Sequence, residues 1–277
     1  MTGALEPPPR QDLKRGDRLA GRVAIVTGAG SEGPLPGTGT ATAQIFAAQG
    51  AKVVVFDQSS ERATTTLSAI VANGGEALVV AGDVTSADDC GRAVDSARSR
   101  WGRLDIVVNN AAVVTRGRQD EFNEPDWDRV LAVNLKGAMI MADAAIGALA
   151  ASGGGAIINI SSIAALRGLG SPAYAASKAG LVGLTHDLAY SLGRRQIRVN
   201  CIAPGHLHTP MGSSTDEYRE LRRRAGVLGT EGLAWEVAWA CVFLASEEAR
   251  WITSVVLPVD AGTIGTTAVA MHPFMTQ

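Results

Sequence analysis

Residues 22–30 read Arg-Val-Ala-Ile-Val-Thr-Gly-Ala-Gly, and Gly37-Thr-Gly39 then opens the stretch Thr40-Ala-Thr-Ala-Gln-Ile-Phe-Ala-Ala-Gln49. A short apolar run, glycines and a helix-forming stretch predict strand, turn and helix. Such a turn is an anion site, because free backbone N–H groups meet the positive end of the helix dipole there. Its glycines allow positive φ and close approach of a ligand to the backbone. A second run, Ala51-Lys-Val-Val-Val-Phe-Asp57, ends in a carboxylate about 20 residues past Gly37, where it can bond the hydroxyls of an adenosine ribose. Together the two runs form a dinucleotide fingerprint. Gly28, Ser31, Gly37, Thr38 and Gly39 are its candidate cofactor-binding positions around the turn, with Asp57 the candidate ribose contact.

Outward from this unit the same alternation continues. Apolar, β-branched runs at 22–27, 52–57, 77–82, 104–109, 155–161, 197–203 and 254–259 predict strands. Helix-like stretches lie between them at 39–49, 59–72, 87–100, 126–151, 172–193 and 233–245. The alternation implies an α/β fold, doubly wound, with a seven-stranded parallel sheet and helices on both faces. No linker, composition break or internal repeat divides the chain, so residues 21–277 are expected to form a single domain. Residues 206–232 follow the sixth strand and form the longest irregular part. Ligands of open α/β sheets sit at the carboxyl ends of strands, so this segment reads as a substrate-covering loop.

A second cluster carries chemistry. Ile157-Ile-Asn-Ile-Ser-Ser162 is followed by Tyr174-Ala-Ala-Ser-Lys178. On a helix, a spacing of four puts the phenol and the ammonium on one face, a turn apart. A neighbouring cation favours the phenolate and lowers the tyrosine pKa, as a general acid/base for a hydroxyl or carbonyl requires. Ser162 ends a strand-like run, where its hydroxyl could hold the same oxygen. Ser161 is adjacent but should face the other side of the strand.

With these motifs in order the chain resembles the short-chain dehydrogenase/reductases, from about Gly21 to Gly262. Further matching segments are Gly82-Asp83-Val84, Asn109-Asn110-Ala111, Val133-Asn134-Leu135, Pro204-Gly205-His-Leu-His-Thr209 and Val259-Asp260-Ala261-Gly262. The resemblance implies a Rossmann fold and an oxidoreductase that moves hydride between a nicotinamide cofactor and an alcohol or ketone. It implies that Tyr174 exchanges the substrate proton, Ser162 orients the substrate oxygen, Lys178 binds the nicotinamide ribose, and Asn134 completes the proton path. It also implies cofactor contacts from Asp83, Val84, Asn110, Tyr174, Lys178, Pro204, Leu207 and Thr209. Asp57 would repel a 2′-phosphate, the following Gln58-Ser59-Ser60 supplies no arginine, and Ser31 is not basic, so NAD is the expected cofactor. A biosynthetic ketoreductase and a non-catalytic dinucleotide sensor are the alternatives. One departure stands out: where the family has a shorter interval, residues 29–36 separate Gly28 from Gly37. The additional residues, 32–36, cannot continue a helix and are expected to bulge beside the pyrophosphate.

Composition narrows the partners. The chain is 46% hydrophobic, enough for a substantial core, and its net charge of −2 gives no reason to expect nucleic acid or an anionic membrane. No apolar stretch is read as reaching the roughly 20 residues needed to cross a bilayer. Residues 1–20 hold Pro7-Pro-Pro9 and charges but no apolar signal core, and read as a flexible arm. Cys90, Cys201 and Cys241 are widely spaced, which suits a reduced cytoplasmic protein. His206 and His208 lack a companion ligand cluster, so no metal is expected. Arg222-Arg-Arg224 reads as a solvated helix face or a lure for an acidic substrate. Two long helical stretches, 126–151 and 172–193, are apolar around much of their circumference, which predicts a homo-oligomer, as in the resembling family a tetramer.

Overall fold

Val23–Thr27 forms β1 and is buried along its whole length. In the computed structural model, which describes residues 15–115, 122–212 and 215–275, this strand lies inside a seven-stranded parallel sheet. Its companions in chain order are β2 (Lys52–Asp57), β3 (Glu76–Ala81), β4 (Ile106–Asn109), β5 (Gly155–Ile160) and β6 (Ile197–Pro204). Two short strands, β7 (Leu207–His208) and β8 (Gly232–Leu233), pair separately, and β9 (Val256–Val259) completes the main sheet. The order is β3-β2-β1-β4-β5-β6-β9. The chain therefore winds outward from β1, then crosses over to restart at β4. Between the carboxyl ends of β1 and β4 the two halves diverge, which opens a crevice for a ligand.

The helices are α1 (Thr38–Ala48), α2 (Ser60–Ala72), α3 (Ala87–Trp101), α4 (Glu124–Leu131), α5 (Gly137–Ala151), α6 (Pro172–Leu192), α7 (Asp216–Ala225), α8 (Ala234–Ala245) and α9 (Ala268–Met275). Side chains alternate across the sheet, so β1 feeds two cores. Ala24 and Val26 pack with Ile45 and Phe46 of α1 and Val237 and Cys241 of α8. Val23 and Ile25 face the other way, with Val94 of α3, Met141 and Leu149 of α5 and Leu188 of α6. Side chains at helix starts fix where several helices begin: Ser59, Ser86, Asn123 and Thr215 each accept from a backbone N–H of the first turn.

The structure changes four expectations. Leu19, read as part of the arm, is fully buried in the core that α1 and α8 share with the sheet, and its N–H donates to the Gln49 carbonyl at 2.9 Å. Residues 1–14 of that arm lie outside the described residues. The stretch read as one helix over 126–151 begins at Glu124 and is interrupted by a π-helical turn at Ala132–Lys136. Taken whole, Glu124–Ala151 is long and apolar enough, by length and composition, to cross a membrane, contrary to the sequence reading. Here one side of α5, including Met141, Ala142, Ala145 and Leu149, is sealed against the sheet instead. The region 206–232, expected to be irregular, holds α7 and the β7–β8 pair, while residues 213–214 lie outside the described residues.

Because Leu19 is fully buried in the core that α1 and α8 share with the sheet, its truncation leaves a cavity. Leu19→Ala is expected to lower unfolding stability by about 2–4 kcal/mol. Urea unfolding checks this, and a midpoint equal to that of the unaltered protein would show that the segment contributes nothing to the core.

Candidate functional site: a cleft at the carboxyl ends of the strands

The turn after β1 is tied to the end of β4. The Thr27 hydroxyl accepts from the backbone N–H groups of Asn110 and Ala111, both at 3.0 Å. The Asn110 amide donates to the carbonyls of Thr27 and Gly28, each at 3.0 Å. Gly28 has φ +61°, and a Cβ there would stand 2.7 Å from the Ala111 Cα, so only glycine fits. Gly39 is pressed against the same turn, since a Cβ would come 2.2 Å from the Gly28 carbonyl oxygen. Gly37 precedes α1 without a side-chain cap, and a Cβ on it would meet open space. Gly37, Thr38 and Gly39 line the cleft, so the start of α1 is open to it. This bare helix start, with glycines that leave room beside it, fits the diphosphate of a dinucleotide.

Asp57 sits at the tip of β2 and is nearly buried. One carboxylate oxygen accepts from the Gly30 N–H at 2.9 Å, the other from the Ser59 N–H at 2.9 Å. Ser59, not Asp57, caps α2. Arg62, on the first turn of α2, donates to Asp57 at 3.1 Å and pairs with Glu32. The sequence reading missed Arg62 and placed Glu32 only within the inserted loop. Arg62 is five positions beyond Asp57, and only the turn of the helix brings it back to the strand end. Asp83, after β3, accepts from the Gln58 amide at 3.0 Å and from both the N–H and the hydroxyl of Thr85 at 2.8 Å.

A cleft of about 700 Å³ gathers Gly28, Gly37, Thr38, Gly39, Asp57, Asp83, Val84, Asn110, Ser162, Tyr174, Lys178, Pro204, Leu207 and Thr209 in its wall. Ser31 is not among them. Its N–H donates to the Arg62 carbonyl at 3.1 Å and its hydroxyl to the Gly33 carbonyl, because the inserted loop folds back on α2. The insertion thus reaches the Asp57 end of the cleft through Glu32, beyond the position expected for it.

At the other end of the cleft, the Ser162 side chain lies beside that of Tyr174. Ser162 follows β5 and also accepts from the Ala164 N–H at 3.1 Å, which fixes its rotamer. Ser161 faces the opposite way, as expected, and donates to the Lys178 carbonyl at 2.7 Å. Lys178 is buried; its ammonium donates to the Ile160 carbonyl at 2.7 Å and lies 5.5 Å from the centre of the Tyr174 ring. Asn134 is in the π turn, not in the cleft wall. Its carboxamide bonds both backbone groups of Val113, at 2.8 and 3.0 Å, and donates to Ser177 at 3.0 Å. Ser177 in turn donates to the Tyr174 carbonyl at 2.7 Å. Asn134 thereby clamps the loop after β4 to the helix that carries Tyr174 and Lys178.

One electrostatic expectation is reversed. Burial raises the Tyr174 pKa, and the neighbouring Ser162 lowers it in part. Burial also pushes the Lys178 ammonium down to about 8, so the cation meant to depress the phenol pays for its own desolvation. The entrance is lined by Val113, Val114, Met211, His206, Arg129 and Arg222. Burial and the neighbouring Arg222 keep the His206 pKa low. The arginine run splits in two: Arg223 and Arg224 pair with Glu220, while Arg222 turns into the cleft wall and bonds the Gly212 carbonyl at 2.7 Å.

A family model described as enoyl-(acyl carrier protein) reductase matches residues 33–263. The chain is 36% identical over 249 residues to the 3-oxoacyl-(acyl-carrier-protein) reductase of Thermotoga maritima, covering 89% of this chain and 99% of that protein. It is 38% identical over 255 residues to the trans-4-hydroxycyclohexanecarboxylate dehydrogenase of Sinomonas cyclohexanicum, covering 89% and 94%. A crystal structure from Burkholderia xenovorans, described as a short-chain dehydrogenase/reductase, superposes with a TM-score of 0.86 at 35% identity, covering 91% of this chain and 100% of that one. The sheet order, the glycine turn at the head of α1, the Ser162–Tyr174–Lys178 cluster and these likenesses agree: the chain belongs to the short-chain dehydrogenase/reductases, a family of oxidoreductases that bind a nicotinamide dinucleotide.

Proposed function

We propose that the protein is an NAD-dependent oxidoreductase that interconverts a secondary alcohol and its ketone. The observation that carries this is the gathering of Ser162, Tyr174 and buried Lys178, its ammonium 5.5 Å from the Tyr174 ring centre, in one cleft with Asp57. In the oxidising direction ionised Tyr174 takes the proton of the substrate hydroxyl, while Ser162 donates to the same oxygen and orients it. In the reducing direction the Tyr174 hydroxyl gives its proton to the ketone oxygen. Bound NAD supplies the hydride acceptor in the first direction, and NADH the hydride donor in the second. Lys178 holds the nicotinamide ribose and lends positive charge to the tyrosine, and Asn134 keeps the Tyr174–Lys178 helix in register with the cleft wall and completes the proton path. Asp57 accepts from the adenosine ribose hydroxyls, which favours NAD. The remaining sequence-assigned positions around the cleft, from Gly28 to Thr209, are read as its cofactor wall, with Ser31 removed. The region around α7 covers the substrate.

A biosynthetic ketoreductase is the second reading, favoured by the Thermotoga maritima relative, whose name describes a reductase. A sensor that binds cofactor without turnover is opposed by the complete serine, tyrosine and lysine set. Three free, buried cysteines fit a reducing compartment such as the cytoplasm.

Tyr174→Phe keeps the ring and removes the proton carrier. Turnover of secondary alcohols is expected to fall by about 10²–10⁴-fold while NADH still binds. A variant that turns over normally would sink this mechanism. The pH dependence follows from Lys178. Its folded pKa is lowered to about 8, so its positive charge is complete only below that value and is lost as pH rises through it. Tyr174, shifted upward, keeps its proton over the same range. Ketone reduction is therefore expected to decline through about pH 8, and a flat profile there would contradict the role given to Lys178.

Assembly follows from an outer surface of α4, α5 and α6. Leu131, Leu135, Met139 and Leu184 line an apolar groove there that no other part of the described chain fills. A second copy of the chain is the proposed occupant, giving a homo-oligomer, with a tetramer of two-fold symmetry expected. Light scattering that finds a stable monomer at micromolar concentration would rule this out.

A further inference from the structure

The insertion between Gly28 and Gly37 brings a second carboxylate to the Asp57 end of the cleft. Glu32 pairs with one terminal nitrogen of Arg62, and Asp57 accepts from the other at 3.1 Å. All three residues line the cleft. We propose that Glu32 is a cofactor-selectivity residue, which occupies the Arg62 guanidinium and so denies it to the 2′-phosphate of NADP. The inference rests on the reading that this end of the cleft takes the adenosine ribose.

The geometry of the loop supports it. The Ser31 N–H donates to the Arg62 carbonyl at 3.1 Å, which ties the inserted segment to the first turn of α2. Gly33 takes φ +103°, a conformation that turns the chain back immediately after Glu32. At Gly30 a Cβ would come within 2.7 Å of both the Arg62 Cβ and the Asp57 carboxylate, so the turn and the ion pair are packed together. Glu32 is the foremost cause that strengthens the hold of Arg62 on its proton, ahead of Asp57.

The charge balance gives the consequence. An arginine beside a ribose hydroxyl is ordinarily an asset for a phosphate, since its planar fork matches phosphate oxygens. Here one guanidinium faces two carboxylates, which leaves this cluster with a net charge of about −1. Asp83 stands close by, bonded to Gln58 at 3.0 Å. Among the described residues that line the cleft, the other cations are Arg129, Lys178 and Arg222. Arg129 bonds Val114, Lys178 lies beside Tyr174, and Arg222 bonds Gly212, all toward the opposite end. Arg62 is therefore the cation in position to receive a 2′-phosphate. As a half-exposed ion pair, Glu32–Arg62 contributes little to stability, so its effect is expected at the ligand.

The test titrates NADH and NADPH into the intact protein and reads the fluorescence of the bound reduced nicotinamide. Glu32→Gln is expected to tighten NADPH binding by about tenfold, with NADH changed by less than about twofold. Adding Arg62→Ala to Glu32→Gln should abolish that gain, and NADH binding by each variant confirms a folded cleft. An unchanged NADPH dissociation constant in Glu32→Gln, or a gain that survives loss of Arg62, would overturn the inference. The NAD reading is judged separately by the unaltered protein: equal binding of NADH and NADPH defeats it. The Glu32 inference is decided only by the shift between unaltered and variant proteins.

Discussion

The cleft depends on the join between β1 and β4. There the Thr27 hydroxyl and the Asn110 carboxamide bind two strand ends that the chain reaches far apart in sequence. These bonds satisfy backbone groups that would otherwise end the strands unpaired, and they fix the turn at Gly28. The turn then sets the position of α1, because Gly39 lies in contact with the Gly28 carbonyl. A side chain at either glycine would push the helix start away from the crevice. The glycine-lined end of the cleft is thus a consequence of close packing, with the helix dipole acting on whatever that packing leaves room for.

The opposite end is built from burial. Lys178 carries a charge into the protein, where its ammonium keeps a single described hydrogen bond, to Ile160 at 2.7 Å. A buried ammonium loses charge readily, and its pKa falls to about 8. The same environment raises the Tyr174 phenol. Two groups with ordinary pKa values well above neutrality are thereby moved in opposite directions, and the order of their deprotonation changes. Ser161 and Ser162 divide the work on the two faces of one strand end: the first anchors the Lys178 backbone, the second meets Tyr174. Asn134 supports this cluster from outside. Within the π turn its side chain bonds Val113 and Ser177.

Between these ends the wall is unequal. The Asp57 end is polar and crowded with paired charges, whereas the entrance near Val113, Val114 and Met211 is more apolar, with His206, Arg129 and Arg222 as its polar groups. That contrast suits one ligand with a charged, hydroxylated body and another whose reacting carbon is held against hydrocarbon.

Much of this was legible in order along the chain. Alternating apolar runs and helical stretches predicted seven strands and their helices, because a parallel sheet buried on both faces needs continuous hydrophobic strands. The glycines after β1, the acidic end of β2, and the Ser162, Tyr174 and Lys178 spacing pointed to one cleft, since each motif lies at a strand end or on a helix face. Contacts across the chain were not legible. Arg62 and Glu32 carry no local pattern, and only the fold-back of the inserted loop joins them. Leu19 looked like part of a solvated arm, and its burial depends on the core that α1 and α8 share with the sheet. The direction of the Tyr174 shift was likewise hidden, because spacing reports proximity of charge but not the desolvation that outweighs it. Local sequence determined which elements form and where the reactive groups sit on them; tertiary packing decided which charges meet, how deeply they are buried and hence how they titrate.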